Sequence, residues 1–127
     1  MRYNLALLVG LSWMMAGCQG PGRSTVALTR ADHDRVVQVV RGDILTVRLP
    51  GNPTTGYRWE PEERDESPLH LIDSTYQAAY PERVGSGGDF VFRFRARAKG
   101  ETRLRLIYAR SWETGAADEF EVTIQIQ

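Results

Sequence analysis

Three consecutive segments near the carboxyl end alternate apolar and polar residues with a period of two, and no other feature restricts the fold as much. "DFVFRFRARA" sets Phe90, Phe92, Phe94, Ala96 and Ala98 on one face and Val91, Arg93, Arg95 and Arg97 on the other. "TRLRLIYAR" turns Leu104, Leu106 and Tyr108 inward and Arg103 and Arg105 outward. "EFEVTIQI" opposes Phe120, Val122, Ile124 and Ile126 to Glu119, Glu121, Thr123 and Gln125. Successive side chains of a strand point to opposite faces, so each segment is expected as a half-buried strand. Three in a row argue an antiparallel sheet wetted on one side.

Earlier segments are noisier but of the same type: "VVQVV" at Val36 to Val40, "DILTVRLP" at Asp43 to Pro50, "YRWE" at Tyr57 to Glu60, and "LHLIDSTYQ" at Leu69 to Gln77. Glycines and prolines punctuate them, and no stretch combines a helical period with caps. A chain of 127 residues allows one domain. The expectation is an all-β fold, an immunoglobulin-like antiparallel β-sandwich of about seven or eight strands, without the Cys-Trp-Cys core of antibody domains.

The amino end, "MRYNLALLVGLSWMMAGCQG", has the order of an export signal: Arg2, an apolar run from Leu5 to Ala16 too short for an ordinary membrane span, then small residues before the only cysteine. Met15-Ala16-Gly17-Cys18 resembles a bacterial lipobox with Met at the usual Leu position. The expected organisation is a lipoprotein signal peptide over 1–17, a lipidated Cys18 and flexible tether over 18–24, and the folded domain over 25–127. Gln19 after the cysteine resembles the pattern of export to the outer membrane, facing the periplasm. A plain secretory signal with an incidental thiol is the alternative. With one cysteine, no internal disulfide is available.

Sixteen basic residues, fifteen of them Arg, balance sixteen acidic ones, so net charge argues for no nucleic-acid or anionic partner. Arg93, Arg95, Arg97, Arg103 and Arg105 would line one surface, but Glu119 and Glu121 at the same period suit opposite-charge cross-strand pairs. A solvated, charge-paired face is the expectation, and a monomer.

Catalytic chemistry needs a nucleophile with a base, paired carboxylates or metal ligands at workable spacing. "DHD" at Asp32 to Asp34 is the one metal-like cluster, and adjacent strand residues point apart. His70 and Asp73 fall on opposite faces of a regular strand. Neither supports catalysis, and no metal or cofactor is expected.

What remains is three loops of odd composition, which in a sandwich can cluster at one end. "NPTTGYRW", "GSGGDFVFRF" and "YARSW" together resemble, in order and separation, the three signature segments of the chagasin family of cysteine protease inhibitors. The similarity covers roughly Leu28 to Ile126. Ser111 departs from it, standing where the family usually has Pro, which removes a φ restraint on the third loop.

The resemblance implies a reversible, non-covalent inhibitor, not an enzyme, whose loops enter the cleft of a papain-like cysteine protease. Thr54 would sit nearest the target's catalytic cysteine and histidine, with Asn52, Pro53, Thr55, Gly56 and Tyr57 shaping its loop. Gly85, Ser86, Gly87 and Gly88 would run along the non-primed side, with Val84 as the apolar occupant of a substrate pocket. Arg110 and Trp112 would grip the primed side. Without the other two loops, Asn52 to Gly56 reads as a turn, and Trp59 reads as core. The alternative function is an envelope lipoprotein whose sandwich binds a protein or glycan partner without inhibiting a protease.

Overall fold

Alternation leaves each strand one apolar face, and burying those faces requires two sheets laid face to face. The computed structural model, which describes residues 24–62 and 66–127, has this arrangement. The signal segment and Cys18 lie outside the described residues. Eight strands follow in order: β1 (Thr25–Thr29), β2 (Val36–Val39), β3 (Ile44–Gly51), β4 (Arg58–Pro61), β5 (Leu69–Ala78), β6 (Gly88–Ala96), β7 (Gly100–Ala109) and β8 (Asp118–Ile126). One sheet has the order β1-β3-β6-β5 and the other β2-β8-β7-β4.

The expected immunoglobulin-like sandwich is present, and four of its strand pairs, β3/β6, β5/β6, β7/β8 and β4/β7, are antiparallel. Two of the four edge strands differ: β1 runs parallel to β3, and β2 parallel to β8. The chain lays β1 in the first sheet, crosses to the second for β2, and returns for β3. Two crossings restore the original direction, so β1 and β3 run the same way.

The core forms where the inward residues of the two sheets meet. Leu45, Val47, Leu49, Phe90, Phe92 and Phe94 from one sheet pack against Leu104, Leu106, Phe120, Val122 and Ile124 from the other. Each such side chain contributes about 1.5–3 kcal/mol on burial. Trp59 is core as expected, 3% exposed, with its indole N–H donating to the Pro50 carbonyl at 2.9 Å.

Three expectations are corrected. The five arginines do not line one surface, because β6 and β7 belong to different sheets. Arg93 and Arg95 face out from one side of the sandwich, Arg103 and Arg105 from the other, and the chain between β6 and β7 crosses from sheet to sheet. The charge pairing itself holds: Arg105 meets Glu119 at 2.6 Å and Glu62 at 3.1 Å, and Arg103 meets Glu121 at 3.3 Å. Such exposed pairs add little to stability. Second, a β-bulge between Leu71 and Asp73 shifts the register, so His70 stands opposite Arg95 and Asp73 opposite Arg93 on the same outer face. There the Arg93 guanidinium hydrogen-bonds the Asp73 carboxylate and holds it below its usual pKa. Third, Ala98 lies exposed beyond the end of β6 rather than inward.

The buried charge among the described residues is Asp43, 5% exposed, at the turn from β2 into β3. Its carboxylate accepts from the N–H of Val40 (2.9 Å) and from the N–H and hydroxyl of Ser24 (3.2 and 2.9 Å). The Val40 N–H above all holds its pKa below the ordinary 3.8, against the opposing effect of burial. A lowered pKa stabilises the fold above the unfolded-state value, and the effect is lost as pH falls through the folded-state value. Asp43→Ala should therefore lose about 1–3 kcal/mol in urea denaturation at neutral pH, by orphaning those donors. The gap between wild type and variant should narrow as pH falls below about 4.

Candidate functional site

Connections β3–β4, β5–β6 and β7–β8 all emerge at the end of the sandwich marked by Gly51, Gly88 and Ala109, opposite the end where Ser24 enters β1. They carry the three segments singled out in the sequence.

The first loop builds itself around Asn52. Pro53, Thr54 and Thr55 form a 3-10 turn with Pro53 at its start, where a missing N–H costs nothing. Asn52 caps it: Oδ1 accepts from the Thr54 N–H (3.1 Å) and the Thr54 hydroxyl (2.6 Å), while its carbonyl accepts the Thr55 hydroxyl (2.6 Å). Gly56 ends the turn at φ 85°, in the left-handed region. Thr54 and Thr55 are exposed at the tip, while Pro53 and Tyr57 are half-buried.

The second loop is larger than the Gly-rich segment that announced it. It runs from Ala79 to Gly87, closed at its base by the Ala79 N–H donating to the Gly87 carbonyl (3.1 Å). Within it Arg83 N–H reaches the Tyr80 carbonyl (2.9 Å), and the Ser86 hydroxyl reaches the same carbonyl (3.3 Å). Val84 stands 99% exposed at the crest. Gly85 and Gly87 both take positive φ. Gly88 is not in the loop at all: it is the first residue of β6, paired with Gly51 and Ala78.

The third loop begins with Arg110 and closes by the Glu113 N–H donating to the Arg110 carbonyl (3.3 Å). The Arg110 guanidinium pairs with the Glu113 carboxylate at 3.0 Å, and the Tyr57 hydroxyl reaches Glu113 at 3.4 Å. These contacts restrain the loop that has Ser111 in place of proline. Trp112 is 69% exposed.

The loops are joined to one another. Asn52 Nδ2 donates to the Gly85 carbonyl (2.9 Å), linking the first to the second. Arg110 Nε donates to the Thr55 carbonyl (3.0 Å), and its guanidinium lies 4.1 Å from the centre of the Tyr57 ring, linking the third to the first. The indole of Trp112 covers Gly56 so closely that a Cβ there would stand 2.2 Å from it. All the sequence-selected loop residues are thus brought together, Gly88 at the head of β6 beneath the second loop. Arg110 is already engaged from three sides within the molecule.

Sequence reasoning missed Tyr80 and Arg83, whose guanidinium lies 5.0 Å from the Tyr80 ring centre, and Glu113. It placed Tyr108 inward without seeing that its hydroxyl accepts the Asn52 backbone N–H at 3.0 Å. The available signal was chemical: a phenol on a core face needs a hydrogen-bond partner, and loop backbone is the nearest source. "DHD" serves local structure. Asp32 accepts the Thr29 N–H and His33 Nδ1 accepts the Glu121 N–H, and among the described residues no group of His, Cys, Asp and Glu could hold a metal ion.

The fold is shared with known proteins. The family model described as "Chagasin family peptidase inhibitor I42" matches residues 38–125. Chagasin of Trypanosoma cruzi is 26% identical over 104 residues, spanning 79% of this chain and 94% of that protein. Amoebiasin-1 of Entamoeba histolytica is 26% identical over 103 residues, spanning 80% of this chain and 100% of that protein. The crystal structure of a cysteine protease inhibitor from Entamoeba histolytica superposes with a TM-score of 0.76 at 25% identity, covering 85% of this chain and 100% of that one. The matched segment begins in β2, ends in β8 and carries all three loops, so the chain belongs to the chagasin family of peptidase inhibitors.

Proposed function

We propose that this protein is a reversible, non-covalent inhibitor of papain-like cysteine proteases, and that it blocks the target's cleft with the three joined loops. Family membership makes it a peptidase inhibitor rather than an enzyme, and the related structure from Entamoeba histolytica is named as a cysteine protease inhibitor. The observation that carries the finer reading is one continuous edge on which Val84, Thr54 and Trp112 are exposed while hydrogen bonds beneath them tie loop to loop.

The edge suits occlusion rather than reaction. Three of its hydroxyls are committed within the molecule, Thr54 and Thr55 to Asn52 and Ser86 to Tyr80. Both histidines sit elsewhere, His33 beside Glu121 and His70 on the outer face of β5. A wedge held by its own hydrogen bonds loses little conformational entropy on binding. In this reading Thr54 faces the catalytic pair, Val84 to Gly88 follow the non-primed side, and Trp112 covers the primed side.

We extend the reading to Cys18 as the lipidated residue of an exported, envelope-anchored chain. Ser24 enters the sandwich at the end remote from the loops, alongside the turn held by Asp43, so a membrane-tethered domain would hold its loops outward.

Titrating papain with the protein tests the inhibitor reading. Activity should fall in a saturable manner and return on dilution. Full activity at micromolar protein would sink the proposal, and inhibition that persists after extensive dilution and denaturing release would refute reversibility.

A further inference from the structure

We propose that Tyr108 is the positioning residue of the inhibitory edge, holding the first loop in its binding shape before any protease arrives. The inference rests on the inhibitor reading above and concerns a residue that does not lie on the contact surface.

Tyr108 stands in β7 opposite Trp59 of β4, at the point where the core gives way to the loops. Its ring stacks on Trp59 with centroids 5.0 Å apart and lies tilted against Tyr57 with centroids 5.2 Å apart. Arg30 lies 5.7 Å from the Trp59 ring and Arg110 lies 4.1 Å from the Tyr57 ring, so the aromatic column carries a cation at each end. Its hydroxyl accepts the Asn52 backbone N–H at 3.0 Å, and its own carbonyl accepts the Ala117 N–H at 2.8 Å, where the third loop returns to β8.

Asn52 is the node on which this matters. Its side chain caps the Thr54 turn and reaches Gly85 of the second loop, so its orientation sets two loops together. That orientation requires Asn52 at φ −140° and ψ 100°, and the Tyr108 hydroxyl is the acceptor for its N–H among the described residues. Without that acceptor the half-buried N–H must turn elsewhere, and the loop spends part of its time in other shapes. Only the competent fraction can bind, so the apparent affinity falls by that fraction. The loss then appears in association, whereas loss of a direct contact appears mainly in dissociation.

Tyr108→Phe keeps the ring stack and removes only the hydroxyl. We expect the association rate constant with papain to fall by up to about fivefold, the scale of one hydrogen bond, with the dissociation rate constant nearly unchanged and the melting temperature lowered by no more than a few degrees. Hydrogen exchange in the free variant should quicken at Asn52, Thr54 and Gly56 while the β6 and β8 amides keep their protection. Unaltered exchange in the first loop would overturn the proposal whatever the protease data show, because it needs no target. A loss confined to the dissociation rate would overturn it too, making the hydroxyl a contact. If wild type fails to inhibit while the exchange difference is present, the inhibitor reading fails and the positioning of the loop stands.

Discussion

Trp112→Ala is expected to raise the inhibition constant against papain by about 30-fold, roughly 2 kcal/mol, while leaving the melting temperature almost where it was. Two observations separate the effects. Trp112 is 69% exposed, so truncating it opens no core cavity and stability has little to lose. It is nonetheless held: its indole lies over Gly56, where no Cβ would fit, and the Arg110 guanidinium is 5.7 Å from its ring centre. An exposed aromatic already fixed in place brings a large apolar area to a partner at small entropic cost. Measuring inhibition and thermal unfolding on the same preparation decides the matter. A melting temperature lowered in step with affinity would mean that the ring supports the fold rather than the contact.

Gly88→Ala is expected to act in the opposite sense, destabilising the sandwich by about 3 kcal/mol, with a fall in melting temperature of more than about 10 °C. Gly88 is not among the glycines at positive φ, so conformational freedom is not the reason for it. The reason is approach: a Cβ would stand 2.1 Å from the Gln77 carbonyl oxygen and 2.8 Å from the Ala78 Cα, backbone atoms that cannot swing aside. Relief requires β5 and β6 to part where their pairing carries the second loop. Gly87→Ala is a useful contrast, because its nearest neighbour is the Gly51 carbonyl oxygen at 3.3 Å, and its cost is chiefly that of a φ of 79°. Thermal unfolding of both variants checks this. An unchanged melting temperature for Gly88→Ala, with inhibition lost, would make Gly88 a contact residue instead.

The two glycines show where reading a sequence stops. "GSGG" announced a loop, and at Gly85 and Gly87 the positive φ values agree with that. A tight approach into the Phe90 strand is open as the other reading of Gly87 and Gly88, and at Gly88 the structure has it: the clash that requires glycine there comes from Gln77 and Ala78 across the sheet. Arg110 is similar. Its place beside Trp112 suggested a grip on a partner, and only the structure shows that its guanidinium also binds Thr55, Glu113 and the face of Tyr57 within the molecule. Ser111 suggested a loosened loop, and the Arg110–Glu113 pair supplies a restraint that proline does not.

The sequence by itself determined the apolar face of β6, β7 and β8, most of the core those strands supply, and where the chain must turn. Those are properties of adjacent residues: alternation at a period of two, the fixed φ of proline and the freedom of glycine. Only the tertiary structure decided which strands share a sheet, which is why the arginines of β6 and β7 parted to opposite sides. It alone decided that the loops meet, because the hydrogen bonds joining them, Asn52 to Gly85 and Arg110 to Thr55, span 33 and 55 residues. A periodic pattern fixes the face of a residue, and it carries no information about the partner that the fold brings to that face from so far along the chain.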